Sequence, residues 1–455
     1  MSDGNMAVLT EGPVARTLVR LTGPMILGIA GMVAFNLTDT FFVGRLGLIE
    51  LAALSFTFPV VLVVSSLALG LGIGASAVIS RAIGRGDAQG VRRLATDSLT
   101  LALLIVAIIV AIGFFTIGPV FARLGATQRV LPLIKQYMQI WYMGMIFVVV
   151  PMVGNNAIRA RGDTKTPAII MLIAVLVNIV MDPLLIFGIG PFPRLELAGA
   201  AIATVLARMT TFCVSLYVLN FRYGMLTRAR VRMGAVLDSW RRILFIGVPA
   251  AGARLIIPVA IGVITRIISS YGEEAVAGYG VASRIEFFAL AVVMALSSVI
   301  GPFVGQNLGA GEHDRVNKGI RLSNRFVIFW GIGVFAILAL PARWIVSLFS
   351  GDSAVVGTAA LYLRIVPLGY ALQGVFIIST STMNVLKKPF HAAALAVFEM
   401  FVLMVPLAYL GSHLFGLIGI FGAIPFAYIV TGLAACLLLG RFLVRAEAAG
   451  LRRAC

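Results

Sequence analysis

Long apolar runs divided by short polar breaks dominate this chain. Twelve such runs fall at about 16–45, 51–80, 94–122, 132–160, 166–188, 196–222, 240–271, 276–307, 317–349, 355–386, 391–414 and 416–444. A helix that crosses a bilayer needs about 20 mainly apolar residues, and every run meets that length. Several exceed the hydrocarbon thickness, which predicts tilted, bent or protruding helices. The pattern predicts an all-α integral membrane protein of twelve transmembrane helices.

Composition agrees. The 455 residues are 60% hydrophobic and 12% charged, with a mean hydropathy of +1.04. A water-soluble chain of this size could not hide so much apolar surface. The net charge of +18 is spread in short basic blocks between apolar runs, with no basic face or arm. Membrane lipids are therefore the expected partner and nucleic acid is not. Cys213, Cys436 and Cys455 stand far apart and give neither a disulfide framework nor a metal spacing. The first run lacks a small-residue cleavage signature and reads as a retained helix.

The connections alternate in charge. "RAIGRGDAQGVRR", "RARGDTK", "FRYGMLTRARVRM", "GEHDRVNKGIR" and "LKK" are basic or mixed, whereas "RLGLIE", "GPFPRLE" and "YGEE" are neutral or acidic. Basic connections stay inside, which places both termini in the cytoplasm, as an even number of spans requires.

The chain also repeats itself. At an offset of 225, Pro24 meets Pro249, Gly47 meets Gly272, Gly84 meets Gly309 and Gly86 meets Gly311, without a gap through two spans and the loop after them. Further on, "TKTP" falls near "LKKP" and "LAGAAIA" on "LIGIFGA" at slightly smaller offsets. Each half holds six spans, so the halves share one orientation. Two pseudo-symmetric six-helix bundles, residues 1–225 and 226–455, are expected around a central cavity, as in transporters built from parallel repeats.

Against this apolar background, four carboxylates lie well inside runs: Asp39, Asp182, Glu286 and Glu399. An ionised group there costs several kcal/mol unless it is offset. Asp39 and Asp182 lie at similar depths, roughly 10 Å below the outer ends of their helices at 1.5 Å per residue. Asn36 precedes Asp39 by three residues and Asn178 precedes Asp182 by four, spacings that share a helix face. Pro183 frees the carbonyl of Ile179 and favours a bend. Thr204 adds a hydroxyl at a similar depth. The repeat puts Ile264 opposite Asp39 and Met404 opposite Asp182, so the carboxylates belong to the first half alone. A shared scaffold role would place them in both. In the second half, Arg254 is a candidate partner for Glu286 or Glu399 in a buried ion pair. Arg208 lies deep in the sixth run with no evident partner.

Four stretches, "NLTDTFFVGRLG", "SRAIGRGD", "RARGDTKTP" and "NIVMDPLLIFG", together resemble the multidrug and toxic compound extrusion (MATE) transporters, in particular their DinF-like branch. The resemblance covers nearly the whole chain. It implies a proton or cation site at Asp39, Asp182, Asn178 and Thr204, to which the spacing adds Asn36. Some relatives carry Tyr where this chain has Phe35. It also implies a cavity, with Phe35, Met181, Arg284 and Glu286 as candidate lining residues. Glu286 matches a carboxylate that another branch uses for cation binding.

The expected activity is cation-coupled antiport of amphipathic, often cationic organic drugs or toxins. H⁺ is preferred to Na⁺ as the coupling ion, although Na⁺ also fits at Asp39 and Asp182. The expected setting is a monomer in a bacterial or archaeal inner membrane. A lipid-linked precursor flippase of the same superfamily is the alternative, because Arg208, Arg254 and Arg284 suit a pyrophosphate. No cofactor or fixed metal is expected. No Walker sequence points to ATP. His313, His391 and His413 are isolated, so no enzyme motif emerges.

Overall fold

Residues 7–227 and 232–454 are described by the computed structural model, with 448–454 described by their backbone alone. Part of the basic connection "FRYGMLTRARVRM", the first six residues and Cys455 lie outside the described residues. The described chain is almost entirely helical: α1 (Val14–Gly44), α2 (Leu48–Gly84), α3 (Ala88–Arg123), α4 (Leu131–Met143), α5 (Ile146–Ala160), α6 (Lys165–Phe187), α7 (Glu196–Tyr217), α8 (Met233–Ile268), α9 (Glu273–Ala310), α10 (His313–Ala339), α11 (Ala342–Ser347), α12 (Ser353–Ile365), α13 (Tyr370–Val385), α14 (Pro389–Val397) and α15 (Val405–Ala454).

Among the described residues, ten helical stretches are long and apolar enough to cross a membrane, and α4 with α5 forms an eleventh, bent by 46°. One of the ten, Pro389–Glu447, has 59 residues. It is two spans. Gly416 interrupts it with φ 61° and ψ −139°, and the chain doubles back. Thr431 donates to Glu399 across this turn at 2.8 Å, although a straight helix would separate them by about 48 Å. The chain is thus a multi-pass membrane protein of twelve spans. The tenth span is also broken, by a 3₁₀ turn at Val366–Gly369 between α12 and α13.

The matched glycines have matched backbones. Gly47 and Gly272 both have positive φ, 155° and 103°, and so do Gly86 and Gly311, 71° and 83°. Side-chain-bearing residues rarely adopt that region, so the repeat keeps glycine at both copies of each turn. Gly199 and Gly419 share a different constraint. A Cβ on Gly199 would stand 2.3 Å from the Leu185 carbonyl oxygen, and one on Gly419 would stand 2.0 Å from that of Gly411. Each closes the hairpin between the last two spans of its half.

Two compact units emerge. One comprises 23–251; the other joins 7–22 to 252 onward. The division falls inside α1 and inside α8. In the second unit, residues 9–12 are clasped by side chains of distant helices. Gln306 Oε1 accepts from the Leu9 N–H at 3.0 Å and Asn307 Nδ2 donates to the Leu9 carbonyl at 3.1 Å. Arg315 donates to the Gly12 and Glu11 carbonyls at 2.9 and 3.1 Å.

In the first unit, the Asp of "RARGDTKTP" has a structural task. Asp163 accepts from the Thr166 N–H at 3.0 Å and from the Tyr223 hydroxyl at 2.5 Å. Burial opposes its charge, but these bonds and the nearby Arg222 outweigh that cost and hold the carboxyl below its ordinary 3.8. Burial, and then the bond to Asp163, push the Tyr223 phenol above its ordinary 10.0. Asp87 of "SRAIGRGD" caps α3 by accepting from the Gly90 N–H at 2.8 Å, an N-cap bond that satisfies one orphan donor.

Candidate functional site

The first unit brings four polar side chains from three helices together. Asn178 and Asp182 lie one turn apart on α6, and both are fully buried. Asn178 Nδ2 donates to Asp182 Oδ1 at 3.1 Å and approaches Asp39 Oδ1, on α1, at 3.5 Å. From α7, the Thr204 hydroxyl is 3.4 Å from both oxygens of Asp39. The Asn178 amide nitrogen thus lies within 3.5 Å of an oxygen of each carboxyl and draws the two together. Asp182 Oδ2 and Asn178 Oδ1 are buried without a hydrogen-bond partner. Buried polar atoms are almost always paired. Two orphan oxygens beside a loosely bonded carboxylate therefore leave this cluster with unused acceptor capacity.

The apolar counterpart sharpens this reading. Ile264 and Met404, the repeat partners of Asp39 and Asp182, both belong to the buried hydrophobic cluster of the second unit. The same two repeat positions are thus carboxylates in one unit and apolar core in the other.

Residues that sequence did not single out also border the site. Tyr137 of α4 is buried and within electrostatic reach of both carboxylates. The only sequence signal for it was a phenol in an apolar run. Arg208 has partners after all. Its guanidinium lies 4.3 Å from the Phe35 ring centroid, with Met171 Sδ at 3.9 Å, and it interacts electrostatically with Asp39.

Other expectations need correction. Asn36 is exposed, and among the described residues its side chain makes no hydrogen bond to the cluster. Three residues turn a helix by about 300°, enough to carry Asn36 off the face that Asp39 presents. Phe35 lines no open surface; it is 2% exposed, packed with Val175 and Ala207. Met181 is half-buried beside Asp182 and Arg284 is exposed.

Arg254 pairs with neither acidic residue among the described residues. Glu286 instead accepts from the hydroxyls of Tyr362 and Tyr428, and Glu399 from Gln373 and Thr431. Neutral donors surround both carboxyls because phenol, hydroxyl and amide side chains on α12, α13 and α15 reach them. Another buried acid, Asp97, lies in α3 at 4% exposure. It pairs with Arg93, Nε to Oδ2 3.5 Å, one turn earlier.

Comparison with known proteins comes to the same architecture. The MatE family model matches residues 24–184 and 249–410; the two matches begin at the same offset that relates Pro24 to Pro249. The FAD transporter of Shewanella oneidensis is 40% identical over 426 residues, 94% of each chain. The multidrug export protein MepA of Staphylococcus aureus is 25% identical over 449 residues, 96% of each. Among solved structures, the Vibrio cholerae MATE transporter VcmN in its bent form superposes with a TM-score of 0.90 at 28% identity, covering 96% of this chain and 98% of that one.

Proposed function

Since this chain belongs to the MatE family, the multidrug and toxic compound extrusion transporters, we propose that it is a cation-coupled exporter of small organic molecules. The coupling site is Asp39, Asp182, Asn178 and Thr204. The observation that carries the reading is the convergence of Asp39 and Asp182 on the Asn178 amide beside two unpaired buried oxygens.

Two adjacent carboxylates shielded from water do not both remain ionised without a companion cation. A proton, or Na⁺ held by the same oxygens, relieves the repulsion and draws α1, α6 and α7 together. Losing it leaves like charges that push α1 from α6. The pair thus converts a cation gradient into a choice between two packings. The preferred coupling ion is H⁺, because one proton shared between the carboxyls needs no further ligands. The alternation of basic and acidic connections supports cytoplasmic termini in a bacterial or archaeal inner membrane. On this reading the six-span halves, 1–225 and 226–455, rock to expose substrate alternately to the two sides.

Amphipathic drugs and toxins are the first substrate class, supported by the multidrug export proteins among the relatives. A second reading, export of flavin dinucleotide, is favoured by the 40% identical FAD transporter.

The test reconstitutes the protein in liposomes. Efflux of a cationic dye and of FAD is measured under an imposed pH gradient, then under a Na⁺ gradient. Native protein should move at least one of them under the pH gradient, while Asp39→Asn and Asp182→Asn, matched for inserted protein, should not. Near-native gradient-driven efflux by both variants would sink the proposed site.

A further inference from the structure

The second unit has its own buried carboxylate in unusual backbone. Glu399 lies in a π-helical segment, Phe398–Met404, between α14 and α15. Such segments are rare and frequently occur at functional sites. Its repeat counterpart, α6, is regular α-helix throughout. Glu399 is 1% exposed, and each carboxyl oxygen has one neighbour. Gln373 Nε2 of α13 is 3.2 Å from Oε1, and Thr431 Oγ1 of α15 is 2.8 Å from Oε2.

The hydrogen-bond inventory around Glu399 works in two protonation states. Thr431 Oγ1 is also 2.7 Å from the Ala427 carbonyl oxygen. A hydroxyl has one proton to give and a carbonyl has none. With Glu399 ionised, Thr431 gives its proton to the carboxylate and the Ala427 carbonyl loses that bond. With Glu399 protonated, its O–H donates to Thr431 Oγ1, and Thr431 turns its proton to Ala427. The second observation is on Gln373. Its head is more than nine-tenths buried, and its Oε1 has no partner. Exchanging the ends of that amide presents Oε1 as an acceptor for a protonated Glu399. The single added proton therefore has two alternative acceptors: Thr431 Oγ1, which then turns its own proton to the Ala427 carbonyl while Gln373 keeps donating, or Gln373 Oε1 after the amide turns while Thr431 keeps donating.

The surroundings contain titratable groups but no compensating cation. No Lys or Arg is within electrostatic reach of Glu399 among the described residues. From α15, the phenol of Tyr428 is within reach of it. That phenol also donates to Glu286 Oε1 at 3.3 Å, while Tyr362 donates to the other Glu286 oxygen. Tyr428 is thus a neighbour common to both carboxyls.

We propose that Glu399, with Thr431 and Gln373, is a second proton-binding site, distinct from the carboxylate pair of the first unit. It takes its proton from water and returns it. The reading stands independently of whether Asp39 and Asp182 couple transport.

Infrared pH-difference spectroscopy on the full chain in nanodiscs tests it, in an Asp39→Asn, Asp182→Asn background that silences the first site. A carbonyl stretch of a buried carboxylic acid should appear as pH falls and shift in D₂O. Glu399→Gln should delete it, Thr431→Val should shift its frequency, and Glu286→Gln should move its midpoint without deleting it. A spectrum unchanged by Glu399→Gln, or a Glu399 band constant across the pH range, would overturn the proposal. Should Glu399→Gln fail to fold, carboxyl-¹³C-glutamate labelling of the otherwise matched protein and its Thr431→Val form reads the same band; absence of a titrating band sensitive to Thr431 would equally overturn it.

Discussion

Arg208 on α7 stacks its guanidinium on Phe35 of α1, 4.3 Å from the ring centroid. Each residue lies one helical turn from a member of the carboxylate cluster, Thr204 and Asp39 respectively. The stack therefore ties α1 to α7 just beside the contact that is proposed to change with cation loading. Phe35→Leu keeps an apolar side chain but removes the π face from a desolvated cation, a contact worth about 2 kcal/mol. Its thermal midpoint in detergent should fall by several degrees, while Phe35→Tyr, which keeps the ring, should hold near native. Equal midpoints for the Leu and Tyr forms would show that the stack contributes nothing.

Thr204 donates to Asp39 from a third helix. Thr204→Val keeps the shape and removes the hydroxyl. A hydrogen bond to a charged group contributes about 1.5–3 kcal/mol, and this one favours the ionised carboxylate, so its loss should strengthen the apparent affinity for a coupling proton roughly tenfold. The check is the dependence of efflux on external ion concentration at matched protein. An unchanged half-saturation would remove Thr204 from the proposed site.

Asp163 and Tyr223 make a pH prediction outside the membrane-spanning segments. The carboxyl is held below 3.8, so its contribution is fully present above that value and disappears as pH falls through the lowered one. The phenol is raised above 10.0, so its contribution is present below that value and disappears as pH rises through the raised one. Tyr223→Phe should therefore cost about 1 kcal/mol at intermediate pH, after discounting for partial exposure. The native and variant midpoints should converge at both extremes. Thermal unfolding across pH reads this, and a gap that persists in strong acid would contradict the pairing.

Gly199 and Gly419 close their hairpins against carbonyl oxygens at 2.3 and 2.0 Å from where a Cβ would sit. Gly199→Ala and Gly419→Ala should each cost at least 1–3 kcal/mol by overpacking and lower the yield of folded protein. Gly422→Ala, where a Cβ meets nothing within 4 Å, is the matched control and should express normally. Size-exclusion profiles of the three variants compare them directly.

Most of this architecture could be read from the sequence because membrane spans carry long signals, and turn glycines carry short, strict ones. The twelfth span was legible at Gly416 because a Gly-rich break interrupts the apolar run. Asp39, Asp182, Asn178 and Thr204 were legible as polar exceptions in lipid-facing sequence. Asn36 misled because a spacing of three residues fixes a face only to within about 60°. Glu286 and Glu399 misled for another reason: opposite charge suggested Arg254 as a partner, whereas hydroxyls on other helices meet them. Those helices are far away in sequence, and apolar periodicity does not report which phenol or threonine will face a given carboxyl. Asp97 escaped notice because it sits in the first turns of α3, where a helix-end position hides its burial.

The clasp on residues 9–12 sets a timetable for synthesis. The group that receives the Leu9 N–H, Gln306, is made 297 positions after Leu9. At a few to about 20 residues per second, the segment waits on the order of 15–60 s before its partner exists. Until then its backbone donors and acceptors have only water, lipid headgroups or a chaperone to satisfy them. Residues 9–12 thus find these native bonds only after helices about 300 positions later have been made. Completion of the second unit can be timed by when they become protected from protease during translation.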